Sequence, residues 1–400
     1  MEIDRRIMES EFNNFMVLFA SVYYSEPGYQ MGIKYIKGLL GESERKNGWQ
    51  LAEYLGEATP YAIQQFLYRG KFSADAMRDI LRDYVGKKLS KEDGVLVVDE
   101  TGFLKQGKKS CGVKRQYSGT AGRIENCQIG VFLSYASTEG HALIDRRLYI
   151  PKEWADDMER RKGAGIPETL TFQTKPQMAL EMIQEATEAG LPYTWATGDC
   201  VYGDYRDIRM WLEENQKCYV MSVSGKEYVW QGFEQKSIGS ILKNLPNEGW
   251  FEASCGDGSK GTRIYDWRTV RINPGPREGW ERVLLIQRSK TKPNDMRSYI
   301  CYAPIGTNER QFIEVAGTRW TIETCFKESK SEVGLDQYEV RSYEGWYKHI
   351  TLASIALAFL TVLSSQSLDG KSMQEHNPSG SSLEAFKKGR NLHVTAREIF

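Results

Sequence analysis

Over the first ninety positions apolar residues recur at helical spacing: Phe12, Phe15, Met16 and Phe19, then Leu51, Tyr54 and Leu55. Helix-compatible stretches such as Ser73 to Val85 follow, with no alternating strand pattern between them. The pattern predicts a helical segment over residues 1–90. At Gly94 the rhythm changes. Val95-Leu96-Val97-Val98 is an apolar run closed by Asp99, as in a short buried strand. Residues 127–137 and 141–150 are β-rich and joined at Glu139-Gly140, which predicts a hairpin. A helix over 175–189, a strand over 193–199, a helix over 204–215 and a strand over 218–223 complete this stretch. Three strands of hairpin character, then helix, strand, helix, strand, is the order of an RNase H-like α/β fold. In that order the first and fourth strands lie side by side. Asp99 and Asp199 each end an apolar run, so they are expected to meet.

Residues 225–305 break the rhythm. Trp230, Trp250, Trp267 and Trp280 alternate with glycine-rich turns, and strand-like runs cover 263–272, 282–288 and 297–303. This reads as a β-rich insertion, with the tryptophans as its own core. A helix is expected from Asn308 to Lys330, and a buried apolar helix from Thr351 to Leu363. The latter run spans 13 residues, short of the roughly 20 that cross a bilayer. The expected organisation is therefore a helical N-terminal DNA-binding domain (1–90), a first core segment (91–224), the insertion (225–305), a second core segment (306–365) and a tail (366–400), mobile to about Ser381.

Composition narrows the function less than the pattern does. Lys plus Arg and Asp plus Glu number 53 each, so net charge points to no polyanionic partner. Distribution says more. Between Thr101 and Asn126 six basic residues (Lys105, Lys108, Lys109, Lys114, Arg115, Arg123) face one acid, Glu125. Such a patch is either a solvated loop or a phosphate-facing one. Seven scattered cysteines without a C-x-x-C pair argue for a reducing compartment. No export signal is read at the N-terminus, and a cytoplasmic protein without a membrane partner is expected. Four dispersed histidines make zinc an unsuitable ion, which leaves hard cations held by carboxylates.

The candidate carboxylates are three. Asp99 and Asp199 end strands. Glu323 lies on a helix-forming stretch, Arg319 to Lys330, where Arg319 and Lys330 fall within about 40° of it at 100° per residue. Cutting a phosphodiester needs an activated oxygen nucleophile, a stabilised leaving oxygen and neutralised phosphoryl oxygens. Two divalent ions about 4 Å apart meet these needs, held by rigid oxygen ligands. Asp99 suits the bridging position, with Asp199 and Glu323 completing the two sites. Each acid alone is an ordinary turn former or helix cap. Neighbouring Glu100, Asp204, Asp207 and Glu328 are left outside the set, Asp204 as an expected helix cap. Arg319 and Lys330 read equally as a solvated face around Glu323.

On these residues the chain resembles the DDE transposases of bacterial insertion sequences, in the insertion sequence 701 family. The strings that carry it are Val97-Val98-Asp99-Glu100-Thr101-Gly102-Phe103, the run from Gly112 to Arg123, Asn126-Cys127-Gln128, and Gly198-Asp199-Cys200-Val201-Tyr202-Gly203. The related insertion-sequence-4-like group has a Y-x2-R-x3-E-x6-K signature. Arg319, Glu323 and Lys330 match it, while Ala316 replaces the tyrosine.

The resemblance implies an RNase H-like core interrupted by a β-rich insertion. It also implies Asp99, Asp199 and Glu323 as catalytic metal ligands, two Mg2+ per site with Mn2+ as substitute, and cut-and-paste transposition. Arg319, Lys330 and the basic segment Lys105, Lys108, Lys109, Lys114, Arg115 and Arg123 would then contact DNA phosphates. The implied partners are terminal inverted repeats, target DNA and a second copy of the chain in a synaptic dimer on the bacterial nucleoid. Two other readings share features with this one. A domesticated DNA-binding derivative would not need all three acids, and an RNase H-like nuclease of recombination intermediates would not need the helical segment or the insertion.

Overall fold

The computed structural model describes residues 5–258 and 261–372. Five helices lead: α1 (Arg5–Val17), α2 (Glu26–Leu40), α3 (Gly48–Tyr54), α4 (Tyr61–Arg69) and α5 (Ala74–Lys88). Side-chain caps start several of them. The Ser25 hydroxyl accepts from Gly28 N at the head of α2, and Ser73 does the same for Ala76 N at α5. The periodic apolar positions Phe12, Phe15 and Met16 are buried, as expected.

The sheet-bearing part follows as β1 (Val95–Leu104), β2 (Lys114–Ser118), β3 (Arg123–Ser137), β4 (Gly140–Leu148), α6 (Lys152–Ala155), α7 (Met158–Ala164), α8 (Lys175–Glu188), β5 (Trp195–Gly198), α9 (Cys200–Gly203), α10 (Arg206–Glu214) and β6 (Cys218–Val223). β3 runs antiparallel to both β4 and β1, and β5 and β6 run parallel to β1. The order β4-β3-β1-β5-β6 is the RNase H-like order. The fold is thus a mixed α/β sheet protein of that class.

The next elements are β7 (Tyr228–Gln231), β8 (Glu234–Ser237), α11 (Ile238–Lys243), β9 (Phe251–Gly258), β10 (Gly261–Arg271), β11 (Trp280–Arg288) and β12 (Met296–Pro304). Their arrangement adds to the sequence reading. β9 to β12 do not build a sheet of their own. β12 pairs antiparallel with β6, from Ser298 opposite Val223 to Tyr302 opposite Tyr219, and β11, β10 and β9 continue outward from it. One ten-stranded sheet results. Trp267 is fully buried in it, Trp280 stacks on Tyr302, and Arg288 lies over the Trp250 ring. These tryptophans serve the insertion's own packing; Trp230, on β7, is exposed.

Three helices close the chain: α12 (Glu309–Thr318), α13 (Trp320–Val333) and α14 (Tyr343–Ser372). The helix expected over 308–330 is therefore two, joined at Arg319. α14 is longer than its apolar run suggested and extends past Gln366, where the tail was expected to begin; the remainder of the tail lies outside the described residues. Tyr343–Gln366 is long and apolar enough to cross a membrane, but 78% of its apolar window is buried inside the fold. It packs against β4, α2, α4, α5 and α13. A helix apolar on every side is a core helix, and each fully buried Leu or Ile in it contributes about 1.5–3 kcal/mol.

A buried ion cluster joins the leading helices to the sheet. Asp145 on β4 is fully enclosed and accepts from Arg78 of α5 and from Arg147, each at 2.8 Å. Arg78 also reaches Glu185 of α8 at 3.0 Å. Arg146 bonds Asp75 of α5 and Thr351 of α14.

Candidate active site

β1 and β5 pair in parallel register up to Val98 opposite Gly198, where β5 ends. β1, expected to stop at Asp99, runs on to Leu104 because β3 continues to pair with it, so Asp99 stands within β1 beside Asp199 at the end of β5. Local chemistry fixes each. The Asp99 carboxylate accepts from the Glu100 amide at 2.8 Å. Asp199 caps α9, accepting from Val201 N at 2.8 Å. The motif Gly198 to Gly203 has a packing reason. A Cβ on Gly198 would stand 2.8 Å from a Val98 methyl, and one on Gly203 would overlap the Ser222 carbonyl oxygen. Only glycine at both ends lets α9 lie this close to β1 and β6, which holds Asp199 where it is.

Arg319 is the hinge of the site. Its guanidinium lies 3.7 Å from Asp99 and 3.4 Å from Glu323, one turn along α13. It also acts electrostatically on Asp199. One guanidinium therefore links all three acids predicted to converge. Burial, then the charge of Asp199, pushes the Asp99 carboxyl up to about 7, against the Glu100 amide and Arg319. Burial and then the Glu100 charge raise Asp199 as well. This is a site short of positive charge.

That shortage, and a donor set of hard carboxylate oxygens, fits a divalent cation at Asp99 and Asp199. Glu323 is turned to Arg319. Among the described residues no three acid, histidine or cysteine side chains stand close enough to hold a metal ion.

Glu100, set aside on sequence grounds, belongs to this cluster. It accepts from Lys175 Nζ at 2.6 Å and from the buried Tyr202 hydroxyl, and its charge acts on both aspartates. The signal was the Asp-Glu pair beside a tyrosine three residues after Asp199. The other acids left aside have partners elsewhere: Asp204 accepts from Ser224 N rather than capping α10, and Glu328 pairs with His141 at 2.8 Å.

A cavity of about 330 Å³ opens beside Asp199, lined by Cys200, Ser222, Ser224, Ser298, Tyr299, Arg319 and exposed Arg297 among others. Arg297 carried no sequence signal, because its place depends on β12 pairing with β6.

The remaining predicted contacts disperse. Lys330 donates to the hydroxyls of Thr101 at 2.8 Å and Thr120 at 3.1 Å, tying α13 to β1 and to the turn after β2. Lys105 donates to the Tyr338 carbonyl at 3.1 Å and covers the Tyr338 ring; burial lowers its ammonium to about 8. The basic segment is not all loop: residues 114–118 and 123–126 form a hairpin of β2 with β3. On it Lys114 pairs with Glu153 and Arg123 with Glu125. Lys108, Lys109 and Arg115 are exposed and have no acidic partner among the described residues. Ala316, in place of the signature tyrosine, is buried in α12.

The RNase H-like strand order and its acid pair fall within the segments that two family descriptions match. Residues 30–237, more than half of the chain, match the family described as DDE superfamily endonuclease, and residues 175–359 match the transposase DDE domain. The chain belongs to the DDE superfamily of endonucleases and is a DDE transposase. It is 22% identical over 321 residues to the probable transposase for insertion sequence element IS701 of Microchaete diplosiphon, covering 76% of this chain and 75% of that protein. Among solved structures it is similar to the piggyBac transposase synaptic complex with hairpin DNA, at 13% identity and a TM-score of 0.44, over 97% of this chain and 77% of that one.

Proposed function

We propose that the chain cuts DNA at the ends of its own mobile element and joins the freed ends to target DNA, acting as a homodimer on paired ends in the bacterial cytoplasm. What supports this reading above all is the meeting of Asp99, within β1, and Asp199, at the end of the parallel neighbour β5, linked to Glu323 through Arg319. In the first step a water oxygen replaces O3′ at phosphorus, leaving a 3′ hydroxyl on the element. In the second that 3′ oxygen attacks a target phosphodiester, and the target's own O3′ leaves.

Asp99 and Asp199 would hold Mg2+, or Mn2+ in its place, with Glu323 as the ligand for a second ion. When bound, such ions would lower the pKa of an attacking oxygen and offset negative charge on the phosphoryl oxygens. The protein's groups do the rest. Glu100, clamped by Lys175 and Tyr202, keeps α9 and hence Asp199 facing Asp99. Arg319 holds Glu323 aside in the absence of DNA. A phosphate entering between them offers Arg319 a bidentate partner and frees the glutamate carboxylate. Arg297, across the cavity, is placed to take the adjoining phosphate. Exposed Lys108, Lys109 and Arg115 would hold the backbone farther along the duplex.

The test is cleavage of a plasmid carrying the DNA that flanks the coding region, in Mg2+. Asp99→Asn, Asp199→Asn and Glu323→Gln should each abolish cleavage while duplex affinity is largely kept. Cleavage that survives any of the three removes that residue from the mechanism.

A further inference from the structure

We propose that the tip of the β2–β3 hairpin is a wedge for target DNA. Tyr117 and Ile124 enter a base step beside the point of joining, unstack it and bend the duplex. The proposal rests on the reading of the chain as a transposase and deepens it, assigning how a target of varied sequence is gripped.

The tip is folded back against β1 and fixed there. Thr120, in the turn between β2 and β3, has its hydroxyl 3.2 Å from that of Thr101. It donates to the Gly102 carbonyl at 3.3 Å and accepts from Lys330 Nζ at 3.1 Å. Ser118, at the end of β2, lies so near Gly102 that a Cβ there would stand 2.3 Å from the serine hydroxyl oxygen. Gly122 closes the turn with a φ of +65°, and its N donates to the Ser118 carbonyl at 2.9 Å. Thr101 is the second residue after Asp99 on β1, a strand distance of roughly 7 Å. The anchored turn therefore stands beside the acid pair.

Next to the turn, Tyr117 and Ile124 face each other across the two strands. Tyr117 is 63% exposed and Ile124 59%. Opposed side chains stand about 5 Å apart, so the two form one apolar ridge. Cations flank it. Arg115, on the same face of β2, is exposed and has no acidic partner among the described residues. The Arg123 side chain is 76% exposed although it pairs with Glu125. The nearby amides are already engaged. Gln116 donates to the Cys127 carbonyl at 3.1 Å, and Asn126 to the carbonyls of Lys105 at 2.5 Å and Gly107 at 2.9 Å.

Duplex DNA fits this chemistry. An apolar wedge partly unstacks a base step and kinks the duplex, while cations beside it hold the phosphates. Such a wedge reads how easily a step opens, favouring flexible TA and CA steps, and makes no demand on base edges. With both amides engaged, the ridge suits a target of varied sequence better than the fixed sequence of an element end. A second copy of the chain is the competing occupant. The ridge offers roughly 250 Å², well below the about 800 Å² per partner of a stable dimer.

The test uses the full chain and measures cleavage at element ends, joining of precut ends to a target duplex, and sedimentation of the free protein. Tyr117→Ala with Ile124→Ala should lower joining to a fully paired target about 10- to 100-fold, from the worth of a lost stacking contact. End cleavage by this variant should stay at the wild-type level, which also shows that it folds. A target carrying a mismatch at the joining site is already partly unstacked and should restore joining to within about threefold of wild type. Tyr117→Phe should join like wild type, because the ring and not the hydroxyl fills the step. Undiminished joining by the double variant, or a loss that the mismatch does not repair, overturns the proposal, while Asp99-dependent end cleavage would leave the transposase reading standing. A changed sedimentation coefficient with undiminished joining assigns the ridge to a protein contact instead. A wild-type chain that joins ends to no target contradicts the proposal and the transposase reading together.

Discussion

Asp99 on β1 and Asp145 on β4 lie two strands apart on one sheet, roughly 10 Å at ordinary strand spacing. Phe132 of β3 stands between, opposite Asp99 on one side and Arg146 on the other. Both carboxylates are removed from water, and burial alone would raise both pKa values. Around Asp145 the charges of Arg147, Arg78 and Arg146 outweigh burial and hold the carboxyl below its ordinary range. Around Asp99 the nearest strong influence is another acid, Asp199, and the carboxyl rises to about 7. The sheet completes the ion pairs of the acid that holds it together. It leaves Asp99 within β1 and Asp199 at the end of β5 short of cations, which is the electrostatic condition for binding one.

The widest separation between the two clusters should appear on exchanging each aspartate for asparagine. Asp99→Asn should lose all detectable cleavage, with thermal stability unchanged or raised because a like-charge contact disappears. Asp145→Asn should instead lower stability by about 3–5 kcal/mol, since buried arginines lose their partner. Denaturant unfolding and plasmid cleavage on both variants check this. Equal stability losses would collapse the distinction.

His349 offers a pH counterpart. Its Nδ1 accepts from the Tyr35 hydroxyl at 2.8 Å and its Nε2 donates to the Gly334 carbonyl at 3.1 Å, a neutral ring joining α2, α14 and the end of α13. Burial lowers it to about 4. Between that value and the unfolded one near 6.5, the unfolded chain binds more protons than the folded chain. Stability from this site is therefore present above pH 6.5 and is lost as pH falls toward 4, by up to about 3 kcal/mol. Melting curves at pH 7 and 4.5 for the wild type and His349→Gln should show the loss in the wild type alone.

The smallest effect concerns the β2–β3 face. Lys108→Ala, Lys109→Ala and Arg115→Ala should each flatten the dependence of log affinity on log salt by about 0.9, if each contacts one phosphate. Lys114→Ala and Arg123→Ala should do less, because Glu153 and Glu125 already hold those cations. Equal slopes for all five would return the segment to a solvated surface.

How far the sequence reading reached follows the same physics. Strands β1, β5 and β6 were legible because both of their faces are buried, which leaves continuous apolar runs. β2 and the start of β3 were not, since Lys114, Arg115, Arg123 and Ile124 are exposed and no alternation marks them. The break at Arg319 was invisible because the residue keeps helical dihedrals, φ −50° and ψ −34°, and no glycine or proline marks it. The extension of the sheet by β12 depends on tertiary pairing, which no local pattern records. In the site, strand-end placement and the Arg319, Glu323, Lys330 spacing pointed to the three acids. The same spacing singled out Lys330, whose ammonium reaches the Thr101 and Thr120 hydroxyls through contacts that no local pattern records.

The most direct measurement of the central claim replaces Mg2+ with Fe2+ in the full-length protein bound to its end duplex and adds ascorbate and peroxide. Hydroxyl radicals then cut the polypeptide beside the bound metal. Cuts clustered near residues 99, 199 and 323, and lost on Asp99→Asn but kept on Asp145→Asn, are the expected result. Cuts confined to other segments, or unchanged by Asp99→Asn, would contradict it.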